Sequence, residues 1–410
     1  MPGGAARFGD ISGLDLLSPT QRAKALGMAQ RPLGPGRNGW VTARDVYRAI
    51  LQQEPYPVRM LVSFGTNLLA SQPDTVQARA ALAALEFHVH ADFFLNPSAQ
   101  YADIVLPVAT SWEREGLRPG FDVSLAGMRK VQLRPAVIAP VGLARSDADI
   151  ALALAERLGM KAQFFDGSID AGHDEMLAPA GLNTQALRAQ PEGITLPNAV
   201  PLQAYASVDA TGAPTGFPTP SRKMEIYSEQ LHRIGQQAVP FLRENDLPQT
   251  EASYPLQLSG AKTMVYCHSQ HRNLPSLRRL QPDPILEISE QAARHRSIAD
   301  RDWVRVRSKA GQFLARARIS AAQSPEAVFA QHGWWVSSAA DGSSPGVAQE
   351  DPGKLAAAES KQPDKRDFPV NMNAAIDTSC ADPVSGSVPL RSAWCEVERI
   401  EADPNGAGLS

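Results

Sequence analysis

Cysteine is scarce in this chain and arranged without pattern. Only Cys267, Cys380 and Cys395 occur, far apart and never as C-x-x-C. A thiolate metal centre needs ligands converging from a short loop or adjacent loops, so no metal site is read here and the three are expected to be unpaired, partly buried thiols. An odd, unpatterned set also argues against a disulfide-built secreted fold. Any redox chemistry must therefore come from a bound cofactor. Long apolar runs are missing too. None reaches the roughly 18 residues of a membrane-spanning helix, so no direct membrane insertion is expected. Met1-Pro2-Gly3-Gly4-Ala5-Ala6-Arg7 has no charged start followed by an apolar stretch, so no signal peptide is read and the compartment stays open. A net charge of -3 leaves no basic field for nucleic acid or an anionic membrane. An anionic ligand must be held by local dipoles and individual basic side chains.

What is present is a globular composition, 43% hydrophobic and 20% charged over 410 residues, long enough for about two to three domains. Residues 1–57 form an irregular, Pro- and Gly-rich lead-in, with a helix over 42–53 capped by Thr42. Residues 58–162 read as an α/β region. An apolar strand over 58–64 ends at Gly65, an Ala-rich helix follows over 74–85, and a second strand over 87–90 is closed by Asp92. A further strand over 102–106 ends at Pro107, and a helix over 146–158 has Ser146 at its start and Gly159 past its end. This βαβ rhythm predicts a parallel sheet with its ligand crevice at the carboxyl ends of the strands. The stretch 163–252 reads as a long connecting segment with little regular structure. Residues 253–402 change character: short strand candidates at 256–258 and 285–288, then a hairpin from Trp303 through the turn Lys309-Ala310-Gly311 to Ile319, predict a small closed barrel. A polar loop is expected over 337–367 and a tail over 403–410.

Several positions read as candidate sites beside a plainer alternative. Gly65, Thr66 and Asn67 follow a buried strand, where glycine permits close backbone approach and the other two offer donors to phosphate or sugar; an ordinary turn is the alternative. Asp92, at the same sheet edge, suits a ribose or a base amino group, or simply caps its turn. Glu113 and Glu115 flank Arg114 and read as a solvated, charge-balanced loop rather than an acid–base pair. His268, Ser269, Gln270, His271, Arg272 and Asn273 make a donor-rich loop suited to a polar heterocycle plus phosphate; no further ligand at metal spacing accompanies the two histidines. His332-Gly333-Trp334-Trp335 suits either an aromatic pocket wall or barrel core.

In their order along the chain, these passages resemble the C-terminal portion of the molybdopterin oxidoreductases of the DMSO reductase family, which hold molybdenum or tungsten on two pyranopterin guanine dinucleotides. The resemblance runs over residues 31–400. It is carried by Pro55-Tyr56-Pro57-Val58-Arg59 leading into Phe64-Gly65-Thr66-Asn67, and by Asp92-Phe93-Phe94-Leu95-Asn96 followed by Tyr101-Ala102-Asp103-Ile104-Val105-Leu106-Pro107 and then Glu113 through Gly116. Pro220-Ser221-Arg222-Lys223-Met224-Glu225-Ile226-Tyr227-Ser228 adds to it, as do the His268 loop, the Trp303 hairpin, Gly333-Trp334-Trp335, and Asn371-Met372-Asn373 with Asp382-Pro383.

The resemblance implies an α/β domain with a partial parallel sheet and a C-terminal double-psi β-barrel that grips molybdopterin guanine dinucleotide. Gly65, Thr66 and Asn67 would approach the dinucleotide and Asp92 would contact guanine, assisted by Asn96, a position where the family commonly has Thr. His268, Ser269, Gln270 and Asn273 would line the pterin and phosphate side, with Asn371 and Asn373 as further pterin contacts. Gly120-Phe121-Asp122 stands where many members have an Asn-containing turn. No residue here is expected to ligate the metal or act in catalysis by itself. The metal ligand and any iron–sulfur cluster are expected on an N-terminal part absent from this sequence, either the other half of the catalytic subunit or a separate polypeptide. An iron–sulfur electron-transfer subunit is a further expected partner. The alternative is a structural subunit or fragment of the same fold that holds no cofactor.

Overall fold

A computed structural model describes residues 17–120, 124, 127, 129–197, 207–217, 219–239, 241, 252–335 and 370–400. The expected loop over 337–367, the tail over 403–410 and Phe121-Asp122 lie outside the described residues. The chain divides into two compact units that interleave in sequence. One combines Leu17–Val105 with the chain from Arg243 onward; the other includes Leu106–Leu242.

In the first unit, capping residues set the helix starts. Ser18 and Gln21 form a reciprocal capping box on α1 (Pro19–Ala23), and Thr42 accepts the Asp45 N–H at the start of α2 (Ala43–Leu51). The short α3 (Leu68–Ser71) precedes α4 (Thr75–Ala84), which is capped by Asp74 in the left-handed region at φ 62°, a conformation its short polar side chain tolerates. The buried faces of α2 and α4 meet through Tyr47 and Ile50 against Ala78, Ala81 and Leu82. Burial also pushes the Tyr47 phenol far above its ordinary value. Strand β1 (Met60–Phe64) runs parallel to β2 (Phe87–Asp92), with Met60 opposite Phe87 and Phe64 opposite Ala91. β3 (Ile104–Pro107) completes the order β1-β2-β3. β2 extends further than the sequence pattern predicts, so Asp92 is its last residue and not the one beyond it.

The rest of this unit is a closed barrel ordered β10-β8-β11-β7-β12-β9, built from β7 (Leu256–Ala261), β8 (Ile285–Ser289), β9 (Trp303–Arg307), β10 (Gln312–Ser320), β11 (Ala327–Gln331) and β12 (Ala393–Arg399). Pairing is mixed, with β10 parallel to β8 and β11 parallel to β7, while β9–β10 is the antiparallel hairpin that the sequence predicts. Alternate residues fill the interior, as period-two strands require. Val304, Val306, Leu286, Ile288 and Cys395 are all fully buried, each aliphatic side chain contributing about 1.5–3 kcal/mol relative to exposure. The Cys395 thiol is pushed up to about 12 by that burial and is chemically inert; Cys267 and Cys380 are exposed. Barrel and helical part are tied by amide side chains. Asn371 Nδ2 donates to the Leu69 carbonyl at 2.7 Å, Asn373 Nδ2 to the Ala70 carbonyl at 2.8 Å, and Thr378 Oγ1 to Asp74 at 3.2 Å.

The second unit contains an antiparallel sheet of β4 (Gly116–Pro119), β5 (Lys130–Arg134) and β6 (Ile194–Thr195). Val131, Leu133, Leu177, Leu187 and Leu196 form its core. The stretch 163–252, read from sequence as largely irregular, supplies the helices Ile169–Leu177, Thr184–Arg188 and Glu229–Arg233 and the strand β6. The expectation of a solvated Glu113 is corrected. Its carboxylate is buried and accepts from Thr110 N and Oγ1 and from Val141 N, each at 2.7 Å, and these bonds hold it below the usual carboxylate range. Glu115 pairs not with Arg114 but with Arg188.

Candidate functional site

Two clusters of polar side chains lie in the first unit. At the carboxyl ends of β1 and β2, Gly65 adopts φ +55° with no heavy atom within 4 Å of where a side chain would begin, and its N–H donates to the Ala91 carbonyl. A glycine in this conformation leaves open space for a ligand against the backbone. Asn67 is buried, and its Nδ2 has no partner. Thr66 contributes its carbonyl, which accepts from Asn96 Nδ2 at 3.3 Å. Asp92 is heavily engaged. Its Oδ1 accepts from Phe93 N at 2.6 Å and Phe94 N at 3.3 Å, and its Oδ2 from Asn96 Nδ2 at 2.9 Å. A carboxylate offers about four acceptor positions, so roughly one remains, on the Oδ2 side.

The orientation of Asn96 follows from its cap. Its Oδ1 accepts from Ser98 N and Ala99 N at the start of the short helix Pro97–Tyr101, so its amino group must face Asp92 and, at 3.2 Å, His90 Nε2. Ser63 Oγ lies 2.7 Å from His90 Nδ1 and 3.0 Å from His88 Nε2, a hydrogen-bonded series whose donor and acceptor roles follow the ring tautomers. Ser63, His90 and Asp92 superficially match a nucleophile–base–acid series. Ser63 and both histidines are buried, so the series braces the strand ends from beneath and does not present Ser63 to solvent.

The second cluster is the barrel turn after Tyr266. His268 and His271 have positive φ, 51° and 62°. His268 Nδ1 and His332 Nε2 share a hydrogen bond at 2.7 Å. Burial, then the positive charge of His268, Arg272 and Lys262, pushes the His332 imidazole down to about 4. Arg272 is buried beneath the turn, with its guanidinium over the rings of Tyr266 and Trp334. Trp335 Nε1 donates to the Ser269 carbonyl at 2.8 Å and packs on Ala70, which ties the turn to the segment just past Asn67. Gln270 is exposed, and Asn273 carries a buried Oδ1 with no partner.

The structure therefore brings Gly65, Thr66, Asn67, Asp92 and Asn96 together at one strand edge, and His268, Ser269, Gln270 and Asn273 together at one turn. Asn371 and Asn373 are buried beside the segment just past Asn67, where each Nδ2 donates to one backbone carbonyl, of Leu69 or Ala70. Sequence reasoning missed Ser63, His88 and His90, whose buried network is visible only once β1 and β2 are paired. The alternation of His88 and His90 on a strand was the available signal. No group of three or more potential metal ligands occurs among the described residues, and none of their helices is long and apolar enough to cross a membrane.

A parallel sheet with Gly, Asn and Asp at its strand ends, joined to a closed barrel with a donor-rich turn, is the build of a dinucleotide-binding protein. Comparison with known proteins agrees. The family described as molybdopterin oxidoreductase matches residues 19–157, and the molydopterin dinucleotide binding domain matches residues 256–394. The dimethyl sulfoxide/trimethylamine N-oxide reductase of Cereibacter sphaeroides is 33% identical over 304 residues, covering 68% of this chain and 36% of that protein. The F420-dependent formate dehydrogenase subunit alpha of Methanocaldococcus jannaschii is 27% identical over 267 residues, 64% of this chain and 37% of that protein. The solved structure of acetylene hydratase from Pelobacter acetylenicus shares the fold, with a TM-score of 0.76 at 19% identity over 95% of this chain and 54% of that one. The chain belongs to the molybdopterin oxidoreductases, of the DMSO reductase type, and spans well under half the length of these two sequence relatives.

Proposed function

We propose that this chain is the cofactor-binding C-terminal part of a molybdopterin-dependent oxidoreductase and that it grips molybdopterin guanine dinucleotide, its barrel being of the double-psi type. The observation that carries the reading is the set of unanswered groups at both clusters: open space at Gly65, Asn67 Nδ2 and Asn273 Oδ1 without partners, and one free acceptor position on Asp92. A ligand with a polar heterocycle at one end and phosphates and a pterin at the other fits that donor and acceptor set. When bound, the cofactor supplies molybdenum or tungsten, at which oxygen-atom or two-electron transfer takes place. The residues present bind and orient. Asp92, fixed by Asn96, accepts from the guanine; Gly65, Thr66 and Asn67 border the dinucleotide; His268, Ser269, Gln270 and Asn273 face the pterin and phosphates. Asn371 and Asn373 act by holding the Leu69–Ala70 backbone as well as by any direct pterin contact. The metal ligand and any iron–sulfur cluster are assigned to an N-terminal part, the other half of the catalytic subunit or a separate polypeptide, with an iron–sulfur electron-transfer subunit as a further partner.

Co-produced with that N-terminal part in a host that makes the cofactor, the chain is expected to carry molybdenum or tungsten by elemental analysis and a guanine-containing pterin by fluorescence. Absence of both sinks the proposal. Asp92→Ala and His268→Ala should each lower pterin retention severalfold. Unchanged behaviour of both would favour a structural subunit without cofactor, a reading for which the near-complete internal satisfaction of Asp92 speaks.

A further inference from the structure

Arg272 is a buried cation without a carboxylate. It is 2% exposed. Its Nε donates to the His268 carbonyl at 2.9 Å and its Nη2 to the His332 carbonyl at 2.8 Å, while Nη1 has no partner. No ion pair reaches it among the described residues. The guanidinium carbon lies 4.5 Å from the Tyr266 ring centroid and 4.6 Å from that of Trp334. Two aromatic faces and two carbonyl dipoles answer part of the desolvation cost of such a charge, and a nearby anion would answer more of it. The turn above it is held in a conformation that non-glycine residues adopt reluctantly, His268 at φ 51°. The fit is close: a Cβ on Gly333 would stand 2.7 Å from both His268 C and Ser269 N. Arg272 bonds the carbonyls on both sides of that approach.

We propose, resting on the dinucleotide reading, that Arg272 is a positioning residue for an anionic group, the phosphates of the dinucleotide, received at the turn His268-Ser269. It fixes the turn through two carbonyl bonds and places a permanent positive charge beneath it. The state of His332 agrees. Burial first, and then repulsion from the groups around it, Arg272 and Lys262 among them, lowers its imidazole to about 4. A phosphate bound at the turn would set an anion against both Arg272 and this imidazole.

The test uses the full chain with three probes: inorganic pyrophosphate, GDP and guanosine. Arg272→Gln should weaken pyrophosphate and GDP by roughly tenfold or more, through loss of the charge beneath the turn and of one or both carbonyl bonds, and reduce the salt dependence of binding, with guanosine affinity unchanged. Arg272→Lys should keep the salt dependence and lose affinity, because an ammonium cannot bond both carbonyls and stack between two rings. Equal pyrophosphate affinity in wild type and Arg272→Gln, with guanosine binding intact, overturns the role of Arg272 alone. Failure of the wild-type chain to bind GDP or pyrophosphate overturns the dinucleotide reading and this inference together. A measurement without substitution guards against a misfolded variant. Saturating pyrophosphate should raise the NMR titration midpoint of His332 by about one pH unit, since an adjacent anion favours the imidazolium, and saturable binding without that movement overturns the proposal.

Discussion

At the strand ends of β1 and β2, Asp92 and Asn96 are largely spent within the chain and Asn67 Nδ2 is left over. At the barrel turn, Asn273 Oδ1 and Arg272 Nη1 are left over and a cation stands unbalanced. The first region is rigid before any ligand arrives: Asn96 alone reaches Thr66, His90, Asp92, Ser98 and Ala99. The second carries stored electrostatic demand. One end thus fixes orientation through a nearly saturated carboxylate, and the other supplies attraction. A dinucleotide needs both, because its base is read by geometry and its phosphates by charge.

The comparison presumes that the two regions are held together, which the amides of Asn371 and Asn373 do. Asn371→Ala and Asn373→Ala each leave a carbonyl of Leu69 or Ala70 without its donor, at about 1–3 kcal/mol apiece. The double variant is expected to cost the most of any change considered, and denaturant unfolding should expose a second transition as barrel and helical part uncouple. A double-variant loss below roughly 0.5 kcal/mol would break the picture of a clamp. The next step separates the two clusters. Asn96→Ala removes a helix cap and the brace on Asp92, for about 1–2 kcal/mol. Asn273→Ala removes an atom with no partner and should change stability by less than about 0.5 kcal/mol while lowering retention of the pterin, whose N–H groups an amide oxygen can accept from. Similar stability losses in the two variants would erase the contrast.

Much of this was legible in the sequence wherever local chemistry decides. Thr42, Asp74 and Ser146 cap the helices their spacing announces. The Trp303 hairpin lies where its alternation and Gly311 place it. What was illegible depends on distant partners. β4 and β6 lie 75 or more residues apart, and β6 is only two residues long, too short for any periodicity to register. Glu113 looks solvated beside Arg114 until Thr110 and Val141 close over it. At the site, the residue types at 65–67, 92 and 268–273 could be picked out one by one, but the His90–Asn96–Asp92 brace requires strand pairing. The charge imbalance at Arg272 requires knowing that no carboxylate folds back onto it.

A dependence on pH sharpens the electrostatic half of the contrast. His332 is lowered from 6.5 to about 4 in the folded chain, by burial first and then by its cationic neighbours. Between those values the unfolded chain binds a proton that the folded chain refuses. Stability should therefore fall as pH drops from about 6.5 toward 4 and gain no further loss from this group below that, because both states are then protonated. The imidazole is only partly shielded from water, so the loss is discounted for solvent screening to about 1–2 kcal/mol. His332→Gln should flatten this part of the profile, and added pyrophosphate should shallow it in the wild type, because an anion at the turn lets the folded state accept the proton. Urea midpoints measured from pH 7 to 4 decide the matter. A wild-type profile that matches His332→Gln across that window would mean that neither burial nor the charges around it depress this imidazole, and the electrostatic half of the contrast would lose its support.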